Sequence, residues 1–247
     1  MSEALAAFAL APGLALGSFL NVVVARVPMR RSIVRPPSAC MSCGHEVGWR
    51  DNIPVFSYVL LRGRCRHCSA GIGWQYPVVE LVTAGLVAGC VLAFGLSAHA
   101  AVASFFCLVL VAIAAIDFEH QVVPNRIVVP AAAVVLVVQT ILEPSPEWLI
   151  GAFAAALFLF LAVLAYPKGM GMGDVKLALL LGAMLGRTVP VALMMGMLAA
   201  LVPAAILFAK FGTAARKRAI PFAPFLAFGG IVALFVGEPL LHAYLRI

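Results

Sequence analysis

Acidic residues are scarce in this chain: 10 Asp and Glu stand against 17 Lys and Arg in 247 residues. Charged residues of every kind make up only 11%, and hydrophobic ones 64%. Water-soluble domains are about a quarter charged and about half apolar, so an ordinary soluble enzyme is excluded and lipid must solvate much of the surface. A removable secretory leader is not expected either, because Glu3 rather than a basic stretch precedes the first apolar run and no convincing cleavage site follows. Basic residues are not interleaved with aromatic ones, which argues against nucleic acid as a partner despite the net charge of +7. The glycines at 169, 171 and 173 lack the spacing and the Gly-Lys-Ser/Thr ending of a phosphate loop.

What remains is a series of apolar runs between charged and Pro/Gly punctuation. They predict an all-α polytopic membrane protein with about eight transmembrane helices, near 4–25, 78–96, 99–117, 126–142, 147–166, 174–187, 190–209 and 221–241. The sixth is short and glycine-rich, and is expected to tilt or to enter only part-way. Arginines crowd 26–76 (Arg26, Arg30, Arg31, Arg35, Arg50, Arg62, Arg64, Arg66), and Lys210, Arg216, Lys217 and Arg218 follow the seventh span. Glu3, Glu143, Glu147 and Glu238 fall on the other side, with Arg187 and Arg246 as the cations there. The positive-inside rule places the basic loops in the cytoplasm and both termini outside, with the basic loop close to anionic headgroups. The expected layout is a first helix over 1–26, a cytoplasmic cysteine-rich loop over 27–76 and a transmembrane core over 77–247.

That loop carries Cys40-Met41-Ser42-Cys43 and Cys65-Arg66-His67-Cys68. Two CxxC pairs at this separation suit a tetrahedral zinc site in which each pair turns as a tight knuckle. Two disulfides are the alternative, disfavoured in a compartment that keeps thiols reduced. Four sulfur ligands leave no open position, so the expected role is structural. His45 and His67 are expected to be solvated neighbours rather than ligands, and Cys90 and Cys107 to be apolar packing residues.

The scarcity of acids draws attention to Asp117 and Asp174, each at the edge of an apolar run and both on the cytoplasmic side of this topology. Such carboxylates are costly in a membrane and usually functional. Taken singly, Asp117 reads as a headgroup-level residue and Asp174 as a helix cap. Together they suit an intramembrane aspartyl protease, in which one carboxylate deprotonates water while its protonated partner polarises the scissile carbonyl. Asp117 ends a helix, where the macrodipole disfavours negative charge, and Asp174 begins one, where it favours it. This predicts Asp117 as the proton carrier and Asp174 as the base. Gly171 and Gly173 are expected to let backbone approach a peptide closely, and Lys176 to tune Asp174 or to bind a lipid phosphate.

The ordered set of motifs resembles the type IV prepilin peptidases along nearly the whole chain. Gly17-Ser18-Phe19-Leu20-Asn21, the two CxxC pairs enclosing Asn52-Ile53-Pro54, Tyr76-Pro77-Val78-Val79-Glu80, Ile116-Asp117, Gly171-Met172-Gly173-Asp174-Val175-Lys176 and Pro221-Phe222-Ala223-Pro224-Phe225 carry the likeness. The resemblance implies catalytic aspartates at Asp117 and Asp174 and zinc-binding cysteines at Cys40, Cys43, Cys65 and Cys68. It implies a bacterial inner-membrane enzyme that cleaves the basic leader of type IV prepilins and pseudopilins after a glycine at the cytoplasmic face. The enzyme would then N-methylate the new terminus with S-adenosylmethionine, for pilus assembly or type II secretion. A basic leader makes Glu46, Asp51, Glu80 and Glu119 the expected contacts. Met41, Asn125 and Ala223 depart from the usual proline, aspartate and glycine of the pattern. No glycine-rich fingerprint for the methyl donor is present. A proton-coupled transporter with a zinc-stapled loop is the rival reading, but its acids would lie nearer mid-bilayer. A scaffold reading leaves both aspartates without a role.

Overall fold

In the computed structural model, residues 2–166, 170–212 and 220–245 are described. Gly169, Arg216, Lys217, Arg218 and Arg246, invoked above for the glycine run and for orientation, lie outside them. The elements are α1 (Ser2–Arg26), α2 (Phe56–Leu60), α3 (Gln75–Phe94), α4 (Ala98–His120), α5 (Asn125–Leu142), α6 (Glu147–Ala165), α7 (Met172–Leu185), α8 (Val189–Phe211) and α9 (Ala223–Leu245). Among the described residues no β-strand occurs; the pairings Ala39 with Glu46 and Arg64 with Gly71 are isolated bridges.

Apart from α2, every helix lies within a few residues of an apolar run. Among the described residues, seven stretches are long and apolar enough to cross a membrane. One of them, Met172–Phe211, contains both α7 and α8, broken where Gly186 adopts φ +50 and opens a short 3-10 turn. The break leaves α7 with 14 residues, about 21 Å at 1.5 Å per residue, against about 30 Å of bilayer hydrocarbon. The sixth span is therefore short, as its sequence suggests. Large apolar side chains such as Phe153, Leu164 and Leu201 are exposed along these helices, which water would not tolerate but lipid does.

The chain divides into two compact units, Met1–Ala112 and Ile113–Ile247, with the boundary inside α4. In the first, α1 packs on α3 through small residues. A Cβ on Gly17 would stand 2.6 Å from the Glu80 Cα, so only glycine allows the two backbones to meet there. Asn21 Nδ2 donates to the Tyr76 carbonyl at 3.1 Å, and Leu20, Val111 and Ala112 share a buried cluster. In the second unit α7 is wedged against α6, where Gly151 would collide with the Gly182 and Gly186 carbonyls if it carried a Cβ. Gln139 Nε2 donates to the Met184 carbonyl at 3.2 Å, tying α5 to the end of α7. Arg187 grips Glu238 of α9 through two hydrogen bonds of 3.0 and 2.9 Å.

Candidate active site and metal centre

Asp117 lies in the last turn of α4, which continues to His120. Helical periodicity points Phe118 outward at 72% exposure and Asp117 inward at 6%. The turn closes with the Gln121 amide donating to the Asp117 carbonyl at 2.9 Å. Asp174 is the third residue of α7 and is 8% exposed. Its carboxylate reaches back to accept the Gly171 amide at 3.2 Å, the acid half of a capping box.

Asp117 has a similar partner that its own helix does not supply. Its Oδ2 accepts the amide of Ala223 at 3.1 Å, 106 residues away in sequence. Ala223 is the first residue of α9, where N–H groups lack partners within the helix and the macrodipole is positive. Each aspartate thus accepts a main-chain N–H at the start of a helix. The asymmetry expected from Asp117 ending its own helix is offset by the start of α9, so helix ends do not sort the pair into acid and base.

The segment joining α4 to α5 completes this arrangement. A Cβ on Gly173 would stand 2.7 Å from the Val123 Cβ, so Gly173 serves a close approach of α7 to that segment. Gly171, by contrast, is exposed, and a Cβ there would meet nothing nearer than 3.8 Å. Lys176 Nζ donates to Asn125 Oδ1 at 2.7 Å, which fastens the first turn of α7 to the first residue of α5. Sequence reasoning gave no part to Val123 or the Ala223 amide, and noted Asn125 only as a missing acid. The prolines at 221 and 224, bracketing a helix start, were the available signal.

In the first unit the four cysteines converge. Cys40, Cys43, Cys65 and Cys68 place their sulfurs within 4.8 Å of one another. Cys40 and Cys68 are 3.7 Å apart, close to the roughly 3.8 Å edge of a sulfur tetrahedron built on 2.3 Å zinc–sulfur bonds. The two halves repeat one main-chain pattern. Gly44 donates to the Cys40 carbonyl and Ser69 to the Cys65 carbonyl, at 2.8 and 2.9 Å. Cys40 donates to the His45 carbonyl and Cys65 to the Ala70 carbonyl, at 2.9 and 2.8 Å. Gly44 and Ser69 both take positive φ, 72 and 57. The Cys43 and Ser42 amides pull the Cys40 thiol down to about 6. Against the Ala70 amide, desolvation and the crowding of the other three sulfurs push Cys68 up to about 12. Thiols packed this closely compete for negative charge, and a bound cation would let all four ionise. The residues therefore fit a structural metal.

His45 and His67 set their rings against each other, with centroids 3.4 Å apart and planes tilted by 37°. Cys90 and Cys107 are buried, with sulfurs 4.0 Å apart. The four acids expected to meet a leader fare differently. Glu46 and Glu119 are exposed, with Glu119 3.7 Å from His120 Nε2. Asp51 is gripped by Arg66 at 2.6 and 2.9 Å, which holds its carboxyl below the usual carboxylate range. Glu80 is 7% exposed and accepts the Val55 amide at 2.7 Å.

Residues 12–94 match the family described as Bacterial Peptidase A24 N-terminal domain, and residues 104–209 match the Type IV leader peptidase family. The chain is 37% identical to a prepilin leader peptidase/N-methyltransferase of Burkholderia pseudomallei (strain 1026b), over 94% of this chain and 86% of that protein. It is 35% identical to the protein so named in Bacillus subtilis (strain 168), over 95% of each. A Pseudomonas aeruginosa protein of the same name is 33% identical over 95% of this chain and 91% of its own length. No solved structure matches. With both halves of the chain matched and relatives above 30% identity over nearly its full length, this protein belongs to the type IV leader peptidase family.

Proposed function

We infer that this chain is a prepilin leader peptidase and N-methyltransferase of the bacterial inner membrane, with Asp117 and Asp174 as its catalytic pair. The observation that carries this reading is the burial of two aspartates, each accepting a main-chain amide at a helix start, in a chain of this family. One carboxylate removes a proton from water, and the hydroxide oxygen attacks the scissile carbonyl carbon. The protonated partner donates to the carbonyl oxygen, so charge does not build up there. A proton then passes to the leaving nitrogen and the C–N bond breaks. Titration belongs to the pair.

Substrates would be type IV prepilins or pseudopilins, cut after a glycine at the cytoplasmic face, with the apolar segment beyond the cut held in the bilayer. The arginines of 26–76 support a cytoplasmic position for that face through the positive-inside rule. Glu46 and Glu119, being exposed, are proposed as contacts for the basic leader. Asp51 and Glu80 would have to release Arg66 and Val55 to take part. Cys40, Cys43, Cys65 and Cys68 would hold Zn2+, which would fold the loop. S-adenosylmethionine would supply the methyl group placed on the new α-amine. The transporter reading gains nothing from the relatives, and both aspartates sit at helix ends rather than mid-span.

Incubating purified enzyme with a prepilin, with and without S-adenosylmethionine, and weighing the products tests both activities. Loss of the leader in either condition, plus one methyl group with the methyl donor, is the expected result. Unchanged cleavage in Asp117→Ala or Asp174→Ala protein would refute the catalytic assignment.

A further inference from the structure

The segment between α1 and α3 exposes side chains that a domain surrounded by water would bury. On α2, Phe56 is 60% exposed, Val59 68% and Leu60 65%. At spacings of i, i+3 and i+4 these three share one face, while Ser57 on the other side is buried, with its hydroxyl donating to the Arg50 carbonyl at 2.7 Å. Trp74, immediately before α3, is 71% exposed. Outside this segment the chain has one tryptophan, Trp148, which is buried with its indole N–H on the Glu143 carbonyl.

Attachment to α3 distinguishes this face from a generic sticky patch. The Val55 amide is held by Glu80 Oε2 at 2.7 Å, and Glu80 is the sixth residue of α3, about 7.5 Å along the helix axis from its start. Val55, a β-branched residue, takes φ 58 at this junction. The N-terminal end of α2 is therefore fastened near the start of α3, a helix long and apolar enough to cross a membrane. Tryptophan and short apolar faces flanked by arginine are the side chains that partition to the layer where headgroups meet hydrocarbon. Arg62 and Arg64 follow α2 directly and are exposed. Over 27–76 the chain has seven arginines against Glu46 and Asp51, and Arg66 is the one engaged by Asp51.

We propose that the Phe56, Val59 and Leu60 face of α2, with Trp74, inserts into the headgroup layer of the adjacent leaflet while Arg62 and Arg64 engage anionic lipid phosphates. The occupant is lipid rather than substrate, because a basic leader would be repelled by the same arginines. Tethering at both ends to membrane helices also leaves the segment little distance to travel. The cysteine quartet is thereby held on the membrane surface. This inference does not depend on which side of the membrane the loop occupies, or on the aspartates.

The full-length protein carrying Phe56→Trp on a Trp49→Phe/Trp74→Phe/Trp148→Phe background, so that residue 56 is its one tryptophan, is placed in nanodiscs of phosphatidylcholine, with and without phosphatidylglycerol. Half of the samples use lipid brominated near the ester end of the acyl chain. Blue-shifted emission quenched by brominated lipid is expected, deeper with phosphatidylglycerol, and the added depth should vanish in Arg62→Gln/Arg64→Gln protein. Leader cleavage and bound zinc in detergent verify that each variant is folded. Red-shifted emission unaffected by bromination overturns the proposal. So does a residue 56 that becomes shielded only when prepilin is added, which would assign the face to substrate. Equal quenching in both lipids removes the arginine contacts.

Discussion

Gly173→Ala probes how the α4–α5 segment positions Asp174. The added Cβ would lie 2.7 Å from the Val123 Cβ and 3.1 Å from its Cγ2. Carbon atoms rest about 3.5–4.0 Å apart, so roughly 1 Å must be found between the start of α7 and residue 123. Forcing atoms into a packed site costs about 1–3 kcal/mol. The displacement falls one residue from Asp174, the carboxylate proposed as catalytic, where a misplacement of about 1 Å costs on the order of 100-fold in rate. We therefore expect a loss of about that size in kcat for leader cleavage, with little change in KM. Gly171→Ala is the control: its Cβ meets nothing nearer than 3.8 Å, and it keeps the amide that Asp174 accepts, so the rate should stay within a small factor. Val123→Ala should rescue Gly173→Ala only in part, because the residue 123 Cβ remains, and Val123→Gly should rescue it more fully. Initial rates on a prepilin, alongside thermal melts to set unfolding apart, give the answer. Wild-type kcat in Gly173→Ala would refute the reasoning.

Four further outcomes follow from the geometry. Lys176→Met loses the 2.7 Å bond to Asn125 and should destabilise the start of α7 by about 1 kcal/mol. Asn125→Asp turns the same bond into an ion pair and should raise the melting temperature, so a fall would contradict the pairing. Replacing Cys40, Cys43, Cys65 and Cys68 by serine should remove one zinc per chain by elemental analysis and speed hydrogen exchange in 38–46 and 64–71; retained stoichiometric metal would rule out the quartet. Asp51→Asn should weaken the loop slightly, as expected for an exposed pair. Because Arg66 lowers the folded carboxyl below its ordinary 3.8, the stability it gives is present above that value and lost as pH falls through the lowered one. The difference from wild type should therefore disappear in strong acid, and a difference that grew there would contradict the ion pair.

Much of this was legible in the order of residues, for reasons that differ by element. The membrane helices follow from apolar length alone, since a bilayer demands it of any crossing segment. The cysteine quartet was legible because its ligands are side chains at knuckle spacing. Asp117 and Asp174 stood out because acids are rare beside apolar runs. The partners of those acids could not be read in the same way. Ala223 meets Asp117 through its backbone, and a backbone amide is the same at every residue but proline. Gly173 suggested room for a ligand, but its missing Cβ is filled by Val123, a fact of tertiary packing alone. Glu80 read as a contact for a basic leader, whereas its carboxylate is buried on the Val55 amide.

The amides of Gly171 and Ala223 have an evolutionary consequence. A carboxylate held by another side chain can lose that partner through almost any substitution, whereas one held by main chain loses it only to proline. Positions 171 and 223 can change identity, within the size their surroundings allow, and still present the same N–H to the same oxygen. A scan of alanine replacements would pass over both and find two aspartates apparently acting alone. The support of this site is thus stored in where helices begin, and lineages can rewrite the residues there while inheriting the contact.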